Sequence, residues 1–165
     1  EGLQFEKWSD CVLHKLEEAI EGVQASGLFE EQVYQQVRQI FENHIEVLDT
    51  VQQAVLVHND YHLGNMIVHQ GHIAGILDFE WCFAGDGEFD FRDSLTFEGV
   101  SEDMLQYYQQ KRPLSAEFEV KNYLYRLLLY LQLCDLSNQH DWAEESKKSY
   151  KEQFLGLLEQ SFGVL

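Results

Sequence analysis

One stretch of the chain holds three side chains whose types and spacing suit phosphoryl transfer. They are Asp60 in His58-Asn59-Asp60, Asn65 five residues later, and Asp78 thirteen residues after Asn65. An amide oxygen and a carboxylate, with no cysteine and no obligatory imidazole, make a hard oxygen site suited to Mg²⁺. That ion keeps several waters and takes further ligands from substrate phosphates, so the site implies a nucleotide. Asp60, at the start of the loop, could accept the proton of an attacking hydroxyl while orienting it. His58 belongs to the same catalytic loop, where it is expected to support the backbone more than to do chemistry. Asp86 and Asp90 follow, carboxylates suited to taking hydrogen bonds from loop amides.

These groups need a scaffold that brings them together. Ala54-Val55-Leu56-Val57, Met66-Ile67-Val68 and Ile73-Ala74-Gly75-Ile76-Leu77 are short apolar runs that read as strands. Gln70-Gly71 supplies the glycine that a tight hairpin turn prefers. A turn there pairs His69 with His72 and Asn65 with Ile76, which makes Asp78 the diagonal neighbour of Asn65 on one face of the ribbon. Ala84 to Glu88 reads as an ordered loop.

The rest of the pattern is helical. Phe5, Trp8, Val12, Leu16, Ile20 and Val23 recur at helical spacing until Gly27, and Val33, Val37, Ile40, Phe41, Ile45 and Leu48 form a second stripe. Helical patterns follow over Phe89–Phe97 and after Ser101, a plausible N-cap, with Arg112-Pro113 as a stop. Ser115 is placed to cap the next helix, in which Tyr123–Leu133 is apolar on nearly every side and is expected to be the central buried helix. A last helix, Trp142–Phe162, turns Trp142, Tyr150, Phe154, Leu157, Leu158 and Phe162 inward. The expected fold is mostly α (α+β): one domain over residues 1–165, a helical bundle with a small inserted β-hairpin carrying the catalytic loop.

Composition narrows the partners. The chain has 165 residues, 45% of them hydrophobic, enough for one folded domain. Lys and Arg number 11 against 29 Asp and Glu, and a net charge of -18 opposes binding to nucleic acid or an anionic membrane while favouring cationic partners. Cys11, Cys82 and Cys134 have no metal-binding spacing and suggest no disulfide framework, which fits a cytoplasmic protein.

The polar segments His58-Asn59-Asp60-Tyr61-His62-Leu63-Gly64-Asn65, Gly75-Ile76-Leu77-Asp78-Phe79-Glu80 and Gly85-Asp86-Gly87-Glu88-Phe89-Asp90 resemble the catalytic segment of the aminoglycoside phosphotransferase and choline kinase-like family. Members of that family share the protein-kinase-like fold. The resemblance implies that Asp60 is the catalytic base, that Asn65 and Asp78 bind Mg²⁺, and that Asp78-Phe79-Glu80 stands at the kinase Asp-Phe-Gly position. It implies an ATP-dependent kinase that phosphorylates a hydroxyl of a small molecule such as an aminoglycoside, an amino alcohol or a sugar. Asn59 stands where the family often has Gly, and Leu63 and Gly87 where it often has Pro.

His62 occupies a position where the family frequently has His, and is expected to position the loop or approach substrate. Glu80 and Trp81 follow the metal aspartate, where the acceptor pocket is expected, and their acidic neighbourhood would suit a cationic acceptor. For Trp81, core packing is the expected alternative to stacking on a sugar. The resemblance covers a C-terminal lobe only. No nucleotide-covering loop or strand lysine precedes it, so an N-terminal lobe of about 80–100 residues is expected upstream of this chain. The isolated chain is expected to bind ATP poorly, and the rival reading is a non-catalytic kinase-like lobe that acts as a binding or scaffold module.

Overall fold

The apolar stripes build the helices in sequence order. The computed structural model describes residues 4–93 and 102–164, the side chains of 93, 102, 103 and 161–164 excepted. Among the described residues, six α-helices and four strands follow one another as α1 (Trp8–Ser26), α2 (Glu31–Asn43), α3 (Ile45–Leu48), β1 (Val55–Val57), β2 (Met66–His69), β3 (His72–Ile76), β4 (Phe83–Gly85), α4 (Glu102–Lys111), α5 (Phe118–Gln139) and α6 (Glu144–Val164). Short 3-10 helices lie at Leu63–Asn65 and Gly87–Asp93. The protein is mostly helical with small two-stranded sheets, as expected. The chain divides into two compact units, one made of its start up to Thr50 and its end from Tyr123, the other spanning Val51–Asn122.

The first unit is a helical bundle. Val12, Leu16, Ile20 and Val23 of α1, Tyr34, Val37 and Phe41 of α2, and Phe154, Leu157 and Leu158 of α6 are buried. Leu124, Tyr125, Leu127, Leu128 and Leu131 bury several faces of α5, the central helix the apolar run predicted. Gly27 ends α1 in the left-handed region at φ 65°, where glycine carries no Cβ penalty. Asp49 accepts a hydrogen bond from the Ser9 amide at 3.1 Å, so a carboxylate forty residues away satisfies a first-turn donor of α1.

Several boundaries differ from the sequence reading. Phe5 lies outside α1 and is exposed. The second stripe does not make one helix: His44 leaves helical geometry at φ -119°, and its ring nitrogen meets the Ile40 carbonyl at 2.8 Å, so the chain restarts as α3. Trp142 precedes α6, is exposed, and sets its ring edge against Tyr150 at 5.9 Å instead of joining the core. The helical pattern from Phe89 is a 3-10 turn as far as Asp93. Phe97, the Ser101 cap and the Phe162 side chain lie outside the described residues.

The second unit carries the polar segments. Residues Val55–Val57 pair antiparallel with Phe83–Gly85, a strand that the sequence reading took for loop because three residues show no alternation. Strands β2 and β3 form the expected hairpin, with Gln70 at φ 52° and Gly71 at φ 78°, both left-handed as a two-residue primed turn requires. The register is shifted, however. His69 faces His72 and Val68 faces Ile73, but Ile67 faces Gly75 and Met66 faces Ile76, with the irregularity between Ile67 and Val68. One extra residue on β3 moves every partner beyond it, so Met66 and not Asn65 stands opposite Ile76.

Candidate functional site

With Met66 opposite Ile76, Asp78 is not the diagonal neighbour of Asn65 that the unshifted register predicts. The Leu77 amide donates to the Asn65 carbonyl at 2.8 Å, which ties the residue before Asp78 to the backbone of Asn65. Asp78 follows at φ 63°, leaving the strand in a conformation that Asp tolerates better than most residues, and its side chain is exposed.

Asn65 is fixed by its amide nitrogen. Its Nδ2 donates to the Asp60 carbonyl at 2.9 Å and to Asp60 Oδ2 at 2.8 Å. With the nitrogen committed, the side-chain oxygen is the atom left to accept from, or ligate, a group outside the loop. The same contact orients the Asp60 carboxylate. His62 Nε2 approaches Asp60 Oδ2 at 3.6 Å while its Nδ1 accepts from the Gly64 amide at 3.1 Å, which assigns the ring proton to Nε2, facing Asp60. A Cβ on Gly64 would stand 2.7 Å from the His62 ring, so a larger residue there would displace the ring from this position. Oδ2 is thus occupied, and Oδ1 is the oxygen that can take a proton from outside.

His58 is buried and positions the loop. Its Nε2 lies 2.8 Å from the Leu77 carbonyl and its Nδ1 accepts from the Asp60 amide at 3.3 Å, so the neutral ring donates from Nε2. One imidazole therefore links the backbone just before Asp78 to the backbone of Asp60. Phe79 packs on that ring at 4.6 Å.

The two downstream aspartates have separate tasks. Asp90 accepts from the His58 amide at 2.9 Å through Oδ2 and from the Asn59 amide at 2.8 Å through Oδ1, clasping the start of the loop. Asp86 accepts from the Glu88 amide at 3.0 Å and from Lys121 Nζ at 2.8 Å, and Lys121 also meets Glu88 at 2.6 Å. Burial draws the Lys121 pKa down, but hydrogen bonds to Asp86 and Glu88 more than offset this and hold it above its ordinary value. Ser115 donates its hydroxyl to Glu88 at 2.8 Å, so its side chain braces this cluster and does not cap α5.

Sequence reasoning missed Lys121 and Arg92. Arg92 is buried and donates to the Phe89 carbonyl at 2.9 Å and, through one nitrogen, to the Asn59 carbonyl at 2.6 Å and Asn59 Oδ1 at 2.8 Å. The sole sequence signal was an arginine two residues after Asp90. The expected acceptor residues are less gathered: Glu80 is exposed, and Trp81, at 63% exposure, does not pack in the core. Among the described residues, no three His, Cys, Asp or Glu side chains form a group that could hold a metal, and no helix is long and apolar enough to cross a membrane.

Residues 4–119 match the phosphotransferase enzyme family (APH). Among solved structures, the chain is similar to the gentamicin complex of APH(2")-IIa, with 21% identity, a TM-score of 0.64, and coverage of 93% of this chain and 52% of that one. It is also similar to a thermostable mutant of APH(4)-Ia in a ternary complex with AMP-PNP and hygromycin B, with 15% identity, a TM-score of 0.69, and coverage of 98% and 55%. A protein assigned as a fructosamine-3-kinase from Haemophilus somnus 129PT gives 16% identity, a TM-score of 0.70, and coverage of 93% and 50%. At these identities the likeness establishes the fold, and the chain spans about half the length of each structure. No curated protein matches the sequence.

Proposed function

Because this chain belongs to the phosphotransferase enzyme family, we propose that it supplies the base and the metal ligands of an ATP-dependent kinase acting on a hydroxyl of a small molecule. The observation that carries the reading is the Asp60–Asn65 contact at 2.8 Å, because it orients two groups at once. It occupies one oxygen of the carboxylate and the nitrogen of the amide, so that Asp60 Oδ1 and the Asn65 oxygen are the atoms left for reactants.

In this reading Asp60 takes the proton of the acceptor hydroxyl as that oxygen bonds to the γ-phosphorus, and the bond to the β-phosphate oxygen breaks. Asn65 and the exposed Asp78 fit Mg²⁺ by donor chemistry, a neutral amide oxygen and one carboxylate that leave most positions to water and phosphate. When bound, the ion would neutralise charge on the transferring phosphates. His58 holds the backbone of both elements in register, and Asp90 holds the loop. His62, beside Asp60, is assigned to positioning the base and meeting the acceptor, and exposed Glu80 and Trp81 to the acceptor side.

The nucleotide is assigned in large part to a nucleotide-binding lobe outside this chain, a reading supported by coverage of about half of each similar structure. A cytoplasmic setting and a cationic acceptor belong to the same proposal, the latter supported by the net charge of -18. The test is a screen of the full-length protein with ATP and Mg²⁺ against aminoglycosides, amino alcohols, sugars and amino acids. One class should yield a phosphate monoester detectable by mass, together with ADP. Absence of any acceptor-dependent ADP across the panel would count against the proposal.

A further inference from the structure

Asn59 occupies the left-handed region at φ 71°, directly before the proposed base. Such a backbone is uncommon for a non-glycine residue, and Asn tolerates it best when its short side chain finds a local partner. Here the partner comes from Arg92, 33 residues away. One guanidinium nitrogen donates both to the Asn59 carbonyl at 2.6 Å and to Asn59 Oδ1 at 2.8 Å. The other terminal nitrogen is fixed on the Phe89 carbonyl at 2.9 Å, and the guanidinium carbon lies 4.2 Å from the centre of the Phe89 ring.

The two peptide groups around Asn59 are therefore held by different residues. The peptide before it is gripped through the Asn59 amide by Asp90. The peptide after it, which carries the Asp60 nitrogen, is gripped at both ends: its carbonyl by Arg92 and its N–H by His58 Nδ1. With its carbonyl and N–H both engaged, this plane has little freedom to tilt, and its tilt sets where the Asp60 carboxylate lies. We infer that Arg92 is a positioning residue for phosphoryl transfer. By seizing the Asn59 carbonyl and side chain together, it fixes the peptide plane that aims Asp60, and Asn59 serves as its matched acceptor.

The inference rests on the proposed function for its catalytic consequence, but its structural content stands apart from activity. Displacement of a catalytic group by about 1 Å can cost on the order of 10²-fold in rate. A guanidinium can serve the Phe89 and Asn59 carbonyls from two nitrogens of one rigid fork, whereas an ammonium presents a single point of charge. Asn59→Gly keeps the left-handed backbone and the carbonyl while removing the side chain, and with it the Oδ1 that Arg92 contacts.

The experiment uses the full-length protein with the acceptor identified by the screen, and compares wild type, Arg92→Lys, Arg92→Met, Asn59→Gly and the double variant Asn59→Gly/Arg92→Met. Two readouts are taken: kcat and KM for each folded enzyme, and hydrogen exchange at the Asp60 amide. Arg92→Met should lower kcat on the order of 10²-fold with KM for ATP unchanged, and Arg92→Lys, which keeps the buried cation, should fall between it and wild type. Asn59→Gly should cost about two- to tenfold. In the double variant the losses should fall short of their product, because both act on one contact. Exchange at the Asp60 amide should quicken in both arginine variants.

Wild-type kcat in Arg92→Lys and Arg92→Met, or unchanged exchange at the Asp60 amide, would overturn the inference. A fall in kcat that multiplies cleanly with that of Asn59→Gly would overturn the matched pair. If wild-type protein transfers no phosphoryl group to any acceptor, the proposed function fails, while the exchange comparison still decides whether Arg92 fixes the loop.

Discussion

Replacing Lys121 with Met tests how the segment bearing Asp90 is anchored. Lys121 is 2% exposed and contacts Asp86 at 2.8 Å and Glu88 at 2.6 Å, carboxylates that are themselves 5% and 6% exposed. Removing the cation leaves two buried carboxylates facing each other. Breaking a buried ion pair by deleting one partner costs about 3–5 kcal/mol. Part of that cost is relieved here, since the Glu88 amide still donates to Asp86 and Ser115 still donates to Glu88. The low end, about 3 kcal/mol, is therefore expected, equivalent to a fall in Tm of about 6–12 °C for a chain of this size. Thermal unfolding followed by circular dichroism at pH 7 is the assay. The triple variant Asp86→Asn, Glu88→Gln, Lys121→Met removes all three charges and should recover much of the loss. A Tm for Lys121→Met within 2 °C of wild type, or a triple variant no better than the single one, would refute the claim that uncompensated charge is what the lysine prevents.

Other outcomes follow from single contacts. The Lys121 pKa is raised, so its stabilisation is complete below the ordinary lysine pKa and is lost as pH climbs through the folded-state value; wild type should lose Tm in the alkaline range and Lys121→Met should lose less. Burial raises the Asp49 pKa, but hydrogen bonds to Ser9 and the charge of Lys7 outweigh it and hold the carboxyl below its usual value. Its contribution is present above the ordinary Asp pKa and fades as pH falls through the folded one, so Asp49→Asn should cost about 1 kcal/mol at pH 7 and converge on wild type in acid urea titrations. Burial pushes the Cys134 thiol up to about 12, so native alkylation at pH 8 should leave it unmodified in a mass spectrum until the protein is denatured.

Where the sequence was legible, the signal was local. Gln70-Gly71 announces its turn because two successive left-handed residues need glycine or a near substitute. The apolar Tyr123–Leu133 run announces a buried helix because no polar face remains. The bulge between Ile67 and Val68 leaves no such trace, since β2 and β3 alternate equally well in either register and only the packed ribbon selects one. Phe83-Ala84-Gly85 is too short to show a period and becomes a strand only by pairing with Val55–Val57.

The functional side chains divide in the same way. Asp60, Asn65, Asp78 and Asp90 stand out because their types and spacing already suggest chemistry. Arg92 and Lys121 do not, since each acquires its role from a partner more than thirty residues distant. Of the two expectations for Trp81, stacking on a sugar or packing in the core, its exposure removes the second, which rested on large apolar side chains usually being buried.

The central claim is that Asp60 is the base, and it is tested most directly by the turnover of Asp60→Asn in the full-length protein at saturating ATP and acceptor. Asparagine preserves size and can keep the contact with Asn65, so Tm should shift by no more than about 1 kcal/mol in stability terms. The account predicts that kcat falls on the order of 10²–10⁴-fold while KM for ATP holds. A kcat within a few-fold of wild type, measured on folded protein, would contradict it.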